Sequence, residues 1–241
     1  MMANPLEEFK DVPYGRWAAL GHKLGGLKAI EVILKDDELA RRIRKQIADV
    51  NVTTIILSDE RTRFYKEVFG LTVDLSKVRL PPETEGFGWT LTIAKELGDK
   101  PLATVMAACR KLFKGNVWQY ADDLDNSVPT NDRDPRRDGS YIIRVRDRVE
   151  ADEENKNLSA DTVKSRNMVT LTLLERIVLE LFCFWKTGKH LDIQNTTLCS
   201  GSRNFDGGVP GCCLRGGEFE VCWRGSSSCR GALRAREAVL T

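Results

Sequence analysis

The sequence predicts an α+β protein, in which a helical N-terminal region precedes a mixed domain rich in short strands. Apolar residues recur every three or four positions in the first fifty residues and again over residues 172–187, which is typical of amphipathic helices. Further along the chain, short β-branched or alternating stretches stand between turn-forming residues. We therefore expect a helical region over 1–50, a small α+β domain over 51–125 and a second α+β domain over 126–241.

Residues 1–50 are predicted to form helices. The apolar positions at helical spacing are Trp17, Leu20, Leu24, Leu27, Ile30 and Leu34, and Gly25–Gly26 should break them into two helices. A further helix is indicated by Leu39, Ile43 and Ile47, with basic residues at 41, 42, 44 and 45 outside this face. A solvated basic face explains these charges. A helix-turn-helix module that binds nucleic acid through residues 38–46 is the alternative reading of this region.

The next region, 51–125, alternates candidate strands and helices. The β-branched run VTTIIL at 52–57 predicts a strand, and residues 60–69 predict a helix that ends before Gly70. Residues 89–94 alternate and predict a strand. Residues 101–113 predict a helix with proline in its first turn. The polar segment 122–139, rich in Asp, Asn and Pro, is predicted to be a linker at a domain boundary, since its spacing does not match a calcium-binding loop.

The region 126–241 contains the strongest helix signal of the chain. Thr172 and Glu175 form a capping-box motif ahead of an apolar face, and Gly188 is suited to end the helix. His190 is expected to cap or pack there rather than to act as a catalytic base. Strands are predicted at 141–149, 219–223 and 233–239.

Charge and hydropathy narrow the function classes. Lys+Arg 37 against Asp+Glu 35 gives a net charge of +2, which excludes a protein that binds nucleic acid by bulk positive charge. No apolar run reaches the roughly 20 residues of a membrane span, and the start of the chain lacks the pattern of a secretory signal. The expected location is therefore cytoplasmic, with surface display left open. The two histidines, His22 and His190, offer little material for a zinc site or a Ser-His-Asp triad.

The C-terminal tail has an unusual composition. Five of the seven cysteines lie in the last 43 residues, and no Lys, Gln or Met follows Gln194. The chain contains no Cys-x-x-Cys pair, and adjacent Cys212 and Cys213 have poor geometry for a shared metal site or a mutual disulfide. Free thiols in a reducing compartment are the simplest reading, and we expect neither metal nor cofactor.

The same tail carries a resemblance to a known group of proteins. The matching stretches are NDRDPRRDGSYIIRVRDRVEADEENKNLSAD, TLLERIVLELFCFWKTGKHLD, TLCSGSR, DGGVP and LRAREAV, with a looser match in YGRWAALGHKLGGLKAIEVIL and FGWTLTIAKEL. They resemble uncharacterised bacterial proteins that are similar to the variable proteins of diversity-generating retroelements. The resemblance implies a C-terminal C-type-lectin-like domain of the formylglycine-generating-enzyme subtype. It also implies a ligand-binding display protein rather than an enzyme, with a protein or another surface ligand as its partner.

The genetic code gives an independent account of the tail. Such retroelements alter template adenines, and an Asn codon altered at its first two bases yields residues such as Cys, Ser, Gly, Arg or Phe. The same codon never yields Lys, Gln, Met, Trp or Glu. The tail is rich in Cys, Ser, Gly and Arg and lacks Lys, Gln and Met, whereas its Glu and Trp residues need other template codons.

The resemblance divides the tail into varied and fixed positions. The expected packing set is Val221, Trp223, Leu233, Val239 and residues 174–185, with Arg234 and Arg236 securing the last strand. Phe205, Arg215, Arg224 and Arg230 are the expected energetic anchors of binding. The candidate variable surface, placed by the alternating pattern of the family, consists of Asn204, Phe205, Gly208, Gly211, Cys213, Arg215, Cys222, Arg224, Cys229, Arg230 and Ala232.

Two further readings compete for the tail. Formylglycine-generating enzymes use a cysteine pair at a copper site, and Cys222 with Cys229 could take that role by analogy of fold alone. A calcium-dependent sugar lectin would need clustered carboxylates, whereas Asp206, Glu218 and Glu220 are widely spaced. Nucleic acid is not the expected partner.

Overall fold

The structure, a computed structural model, describes the backbone of residues 14–49 and 52–241 and the side chains of residues 16–43 and 59–241. The chain divides into two compact units, Met1–Ile56 and Leu57–Thr241. Helices occur with mixed sheets, so the predicted α+β class is confirmed. Among the described residues, no helix combines the length and apolar character that a membrane crossing requires.

The described residues of the first unit, 14–49 and 52–56, are mainly helical. α1 (Tyr14–Lys23) and α2 (Leu27–Lys35) are separated by Gly25 and Gly26, whose φ angles of 99° and 83° end the first helix as predicted. α3 (Asp37–Asp49) follows. The predicted side-chain faces at Arg44, Lys45 and Ile47, and the chain start used to judge secretion, lie outside the described residues.

α4 (Val52–Phe69) corrects one prediction, because the expected strand at 52–57 is helical. A β-branched run of six residues cannot be distinguished from a helix segment by periodicity alone. Neither glycine nor proline separates this run from the helical pattern at 60–69. Helix propagation is cooperative, and one continuous helix results.

The second unit is arranged around a buried helix, α9 (Leu173–Thr187). The capping box forms as predicted: the Thr172 side chain accepts from the Glu175 N–H, and the Glu175 side chain accepts from the Thr172 N–H. Gly188 ends the helix in the left-handed region with φ 71°. Most of α4 also belongs to this unit, and its further described α-helices are α5 (Pro101–Leu112), α6 (Leu124–Ser127), α7 (Pro135–Asp138) and α8 (Ala160–Ser165).

Five of the described strands form one sheet in the order β2-β8-β7-β5-β9. Their bounds are β2 Val117–Gln119, β5 Thr196–Leu198, β7 Val209–Arg215, β8 Glu218–Arg224 and β9 Leu233–Arg234. β1 (Trp89–Ile93) pairs antiparallel with β4 (Tyr141–Val145), and β3 (Thr130–Asn131) pairs antiparallel with β6 (Ser202–Arg203). The strands predicted near 89, 141 and 219 are confirmed. The one predicted over 233–239 is regular only at Leu233–Arg234 and continues as isolated bridges at Glu237 and Val239.

The predicted linker at 122–139 lies inside the second unit and folds into α6, β3 and α7. Its polar residues act as helix caps. The Asp123 side chain accepts from the Asn126 N–H, and the Asp125 carboxylate accepts from the Leu102 and Ala103 N–H groups at the start of α5. A run of Asp residues that satisfies helix N-termini has the composition of a linker, but it is ordered by those hydrogen bonds.

One face of the five-stranded sheet packs in the same hydrophobic core as α9. Cys212, Phe219 and Val221 belong to this core together with Ile177. Four members of the predicted packing set differ from expectation: Trp223 is 47% exposed, and Phe184, Trp185 and Val239 are only partly buried. Trp223 is the penultimate residue of β8, so it lies at the end of the sheet. Val221, Leu233 and most of α9 are buried as predicted.

Candidate functional site

The five predicted variable residues on strands share one face of the sheet. In the antiparallel pair β7–β8, Gly211 lies opposite Cys222, Cys213 opposite Glu220, and Val209 opposite Arg224. Opposed residues point to the same side of a sheet, and successive residues alternate. Gly211, Cys213, Arg215, Cys222 and Arg224 therefore lie on the face opposite to the one that carries Cys212 and Val221. We call this side the distal face.

The other six predicted residues lie in two loops at one end of this sheet. Loop 204–208 leads into Val209, loop 225–232 follows Arg224, and these two strand ends are paired. Asn204, Phe205 and Gly208 belong to the first loop, and Cys229, Arg230 and Ala232 to the second. We call the distal face and these two loops together the candidate surface.

The first loop is held by its own hydrogen bonds. The Asn204 N–H donates to the Gly208 carbonyl at 2.8 Å, and the Asp206 carboxylate accepts from the Gly208 N–H at 2.9 Å. The Tyr120 hydroxyl donates to Asn204 Oδ1 at 2.9 Å, which ties the loop to the end of β2. Phe205 projects from this fixed turn and is 79% exposed.

The exposure of the eleven residues is uneven. Phe205, Arg215, Cys229, Arg230 and Ala232 are exposed, whereas Asn204 and Arg224 are partly buried. Gly208, Gly211, Cys213 and Cys222 are buried, so these four candidate positions are not open to solvent. Alternation along a strand identifies the side to which a residue points, but it does not show what covers that side. Here Leu198 and Val209 pack with Ala160 of the α8 segment in a small separate cluster.

Gly208 and Gly211 have little room for a side chain. A Cβ atom on Gly211 would lie 3.0 Å from Thr196 Cγ2 and 3.4 Å from Cys222 Sγ. A Cβ atom on Gly208 would lie 2.9 Å from Asp206 Oδ1 and 3.1 Å from Trp223 Cε3. At both positions a larger residue therefore requires its neighbours to move.

The three arginines among the predicted binding anchors differ in their ion pairs and hydrogen bonds. Arg215 Nη1 lies 3.0 Å from Glu220 Oε2, so its charge is partly neutralised. Arg224 Nη1 donates to the carbonyl of Trp223 at 2.8 Å. The guanidinium of Arg230 makes no hydrogen bond or ion pair with any described residue. Arg224 and Arg230 are therefore the cations of this surface that remain without a carboxylate partner in the described part of the chain.

The tail cysteines are free thiols in the structure, and only Cys229 is exposed. Burial raises the pKa of Cys213, and it raises the pKa of Cys222 to about 11. The Cys222 thiol contacts the Gly211 carbonyl at 3.4 Å, and the Cys229 thiol contacts the Asn157 carbonyl at 2.7 Å. No described contact joins Cys222 to Cys229. The described residues also contain no group of three or more His, Cys, Asp or Glu side chains placed to hold a metal ion.

Thiol modification of the folded protein near neutral pH should therefore be selective. We expect one fast-reacting thiol, Cys229, because a raised pKa keeps a buried cysteine protonated and burial blocks the reagent. Unfolding in urea should expose all seven cysteines. Titration with a chromogenic disulfide reagent measures both numbers, and Cys229→Ser is the control that should abolish the fast phase. Two or more fast thiols in the native protein would contradict the described burial.

A buried ionic network supports the sheet that carries the candidate surface. Arg176 of α9 donates to Asp192 Oδ2 at 2.9 Å and to Glu180 Oε2 at 2.8 Å. Arg236 donates to Asp192 Oδ1 at 2.7 Å and to Thr197 Oγ1 of β5 at 3.0 Å. The network therefore connects α9, β5 and the C-terminal segment.

Only part of this network was predicted from the sequence. The expectation that Arg234 and Arg236 secure the last strand is confirmed, since Arg234 Nη1 also pairs with Glu153 Oε2 at 2.5 Å. Arg176, Glu180 and Asp192 were missed. Arg176 and Glu180 stand four residues apart inside an otherwise apolar helix. Charged residues are rarely buried unless they are paired, so this spacing could have indicated a buried ion pair.

The His190 ring packs against two aromatic rings, as predicted. It lies 4.8 Å from the Phe113 ring and 4.6 Å from the Phe184 ring, measured between centroids. Its Nδ1 atom lies 2.8 Å from Glu180 Oε1. His190 thus extends the buried network toward the end of α9.

Comparisons with protein-family models, with curated proteins and with solved structures found no match to this chain.

Proposed function

We propose that this protein is a ligand-binding display protein, in which a C-type-lectin-like scaffold carries a surface diversified by a retroelement. One observation supports the proposal most directly. The residues expected to vary were chosen by sequence pattern, and they occupy one face of one sheet and the two loops at its end. Alternation alone places residues of one strand on one side, so the support lies in the pairing of β7 with β8, which brings the two strands' predicted residues to the same face and the two loops to the same end.

The physical support comes from the contrast between the scaffold and the candidate surface. The scaffold residues beneath the sheet are buried and paired in the ionic network. Exposed positions such as Phe205 and Arg230 have few partners to lose, and substitutions at such positions usually change stability by no more than about 0.5 kcal/mol. A protein that must accept many side chains at one surface needs this separation of roles.

The target is proposed to be a protein or another macromolecule at a surface. Exposed Phe205 and the unpaired Arg230 belong to the residue types that dominate binding hot spots. The surface is otherwise rich in glycine and serine, which contribute little contact area. Phe205 and Arg230 are therefore the residues whose truncation should weaken binding most.

The decisive experiment is genetic. The DNA around this gene would be sequenced for a near-copy of its 3′ end beside a reverse transcriptase gene. Differences between gene and copy that fall almost only at adenines of the copy, in the codons of the candidate surface, are the expected result. If there is no such copy, or if differences are scattered over scaffold codons such as those of Arg176 and Asp192, the proposal fails.

A stability measurement tests the surface at the protein level. Arg230→Asn should change the free energy of unfolding by no more than about 0.5 kcal/mol, because its side chain has no described partner. Gly211→Asn should cost about 1–3 kcal/mol, because the new Cβ atom would press on Thr196 and Cys222.

Urea unfolding followed by tryptophan fluorescence measures both values. The informative control is the double variant Gly211→Asn with Cys222→Ala. Removing the Cys222 thiol opposite position 211 makes room for the new side chain and should recover part of the lost stability. Equal costs at positions 211 and 230 would show that the described packing does not separate tolerant from intolerant positions.

A copper oxidase that uses Cys222 and Cys229 remains the second candidate by analogy of fold. No observation favours it over the display function. The two thiols contact backbone carbonyls of different segments, Gly211 and Asn157.

A further inference from the structure

A cleft outside the candidate surface has the features of a ligand site. It is lined by three segments of the second unit, within residues 130–133, 163–169 and 200–203. Its volume is about 370 Å³, which falls in the range of sites that hold small ligands or a short piece of peptide. None of the eleven residues of the candidate surface lines it.

Arg203 supplies a cation that the described residues leave only partly satisfied. Its Nη1 atom donates to the carbonyls of Ser200 and Ser202, whereas Nε and Nη2 donate to no described residue. Burial lowers the pKa of Arg203, and the carboxylates of Asp132 and Asp161 only partly oppose this effect. Neither carboxylate is within ion-pair distance of Arg203 in the described structure. An anion in the cleft would supply the missing partner.

Lys164 supplies a second free cation. It is exposed on α8, and its Nζ atom makes no hydrogen bond or ion pair with any described residue. Arg133 also lines the cleft, but its charge is already used, since Nε and Nη2 lie 2.6 and 2.7 Å from the two carboxylate oxygens of Glu175. Lys164 and Arg203 are therefore the groups available to an anionic ligand.

The rest of the lining is partly apolar. Val163 is buried, Met168 is partly buried, and Val169 is 39% exposed. Burial of an apolar ligand side chain against these residues would be favourable, whereas a small inorganic ion would leave their apolar surface exposed to water. The lining thus suits a ligand in which an anionic group stands beside an apolar group.

We propose that this cleft binds the carboxyl terminus of a peptide whose last side chain is apolar. The free Nε–Nη2 edge of Arg203 matches the two oxygens of a carboxylate, and Lys164 adds a second positive charge. Asp132 is exposed among the lining residues and would repel a doubly charged ligand more than a singly charged one, which favours a carboxylate over a phosphate.

The test uses the full chain and two peptides that differ only at one group. N-acetyl-Gly-Ala-Leu with a free carboxyl terminus is the probe, and the same peptide with a C-terminal amide is the control. Binding is measured by calorimetry and by backbone amide shifts of Gly201 in heteronuclear NMR spectra. We expect a Kd of about 1 mM or tighter for the acid and an affinity at least about tenfold lower for the amide.

Variants identify the groups responsible. Arg203→Gln and Lys164→Gln should each lower the affinity for the free-acid peptide by about tenfold, since each removes a charged hydrogen-bond donor. Arg166→Gln is the matched control, because Arg166 is an exposed cation beside α8 that does not line the cleft. Unchanged amide spectra away from the cleft would show that each variant remains folded.

The other outcomes overturn the inference. Equal binding of acid and amide would remove the role of the carboxylate. Inorganic phosphate binding more tightly than the peptide would mean a simple anion site. Loss of binding in Arg166→Gln to the same extent as in Arg203→Gln would mean attraction by overall charge. These results do not depend on the proposed display function, because the residues tested are separate from the candidate surface.

Discussion

Asp192→Asn is expected to destabilise the protein by about 3–5 kcal/mol, the largest effect we predict for a single substitution. Asp192 is fully buried between Arg176 and Arg236, which are also buried. The substitution keeps the size of the side chain but removes its charge. Arg176 then keeps Glu180 as a carboxylate partner, whereas Arg236 keeps no carboxylate partner among the described residues. Leaving a buried charge uncompensated costs several kcal/mol.

The measurement is urea unfolding at neutral pH, with a surface pair as the control. Arg148 and Glu154 form an ion pair at 2.6 Å on the exposed part of the same unit. Glu154→Gln should change stability by at most about 1 kcal/mol, because solvent screens an exposed pair. A loss below about 1 kcal/mol for Asp192→Asn would show that the buried network does not hold the unit together.

The same network predicts how stability depends on acid. Burial alone would raise the pKa of Asp192, but Arg236 and Arg176 together lower it below its ordinary value. A carboxylate whose pKa is lowered by folding contributes stability that is fully present above its unfolded pKa of about 3.9. That contribution is lost as the pH falls through the lower, folded pKa. The stability difference between the wild type and Asp192→Asn should therefore be constant above about pH 5 and shrink below about pH 4.

The second large effect is expected at Glu175, where alanine should cost about 3 kcal/mol. Glu175 is fully buried and completes the capping box of α9 through the Thr172 N–H at 2.8 Å. The same carboxylate accepts hydrogen bonds from Nε and Nη2 of Arg133 and, at 3.0 Å, from the Tyr141 hydroxyl. Its removal leaves an N-terminal helix donor, a mostly buried cation and a phenol hydroxyl without this acceptor.

Two further variants separate the contributions of Glu175. Thr172→Ala removes only the other half of the capping box and should cost about 1 kcal/mol. The double variant Glu175→Leu with Arg133→Met replaces the ion pair by apolar groups and should recover part of the loss, since the cost arises largely from the stranded cation. Thermal and urea unfolding measure all three. Equal losses for Thr172→Ala and Glu175→Ala would mean that the ion pair contributes nothing.

Elements with local signals were predicted well from the sequence. The capping box at Thr172 and Glu175, the left-handed Gly188 and the break at Gly25–Gly26 depend on hydrogen bonds and dihedral angles within a few residues. The predictions of a strand at 52–57 and of a linker at 122–139 were wrong. A β-branched run fits a strand or a helix, and an Asp-rich run fits a linker or a set of helix caps, so neither composition specifies one structure. The first run continued an adjacent helix, and the second capped helices both within its own segment and at α5.

The sequence by itself determined which residues of β8 share a side, because side chains alternate along any strand. The strand β7 was not predicted, and its register with β8 was decided by the structure. The sequence also determined that the tail lacks a metal-binding cysteine motif. Only the tertiary structure decided that Gly211, Cys213 and Cys222 are buried, since burial depends on the neighbouring strand and on segments distant in sequence. Likewise, the pairing of Arg176, Asp192 and Arg236 joins segments far apart along the chain. No local pattern encodes such contacts, because the free energy that favours them arises only when distant groups leave water together.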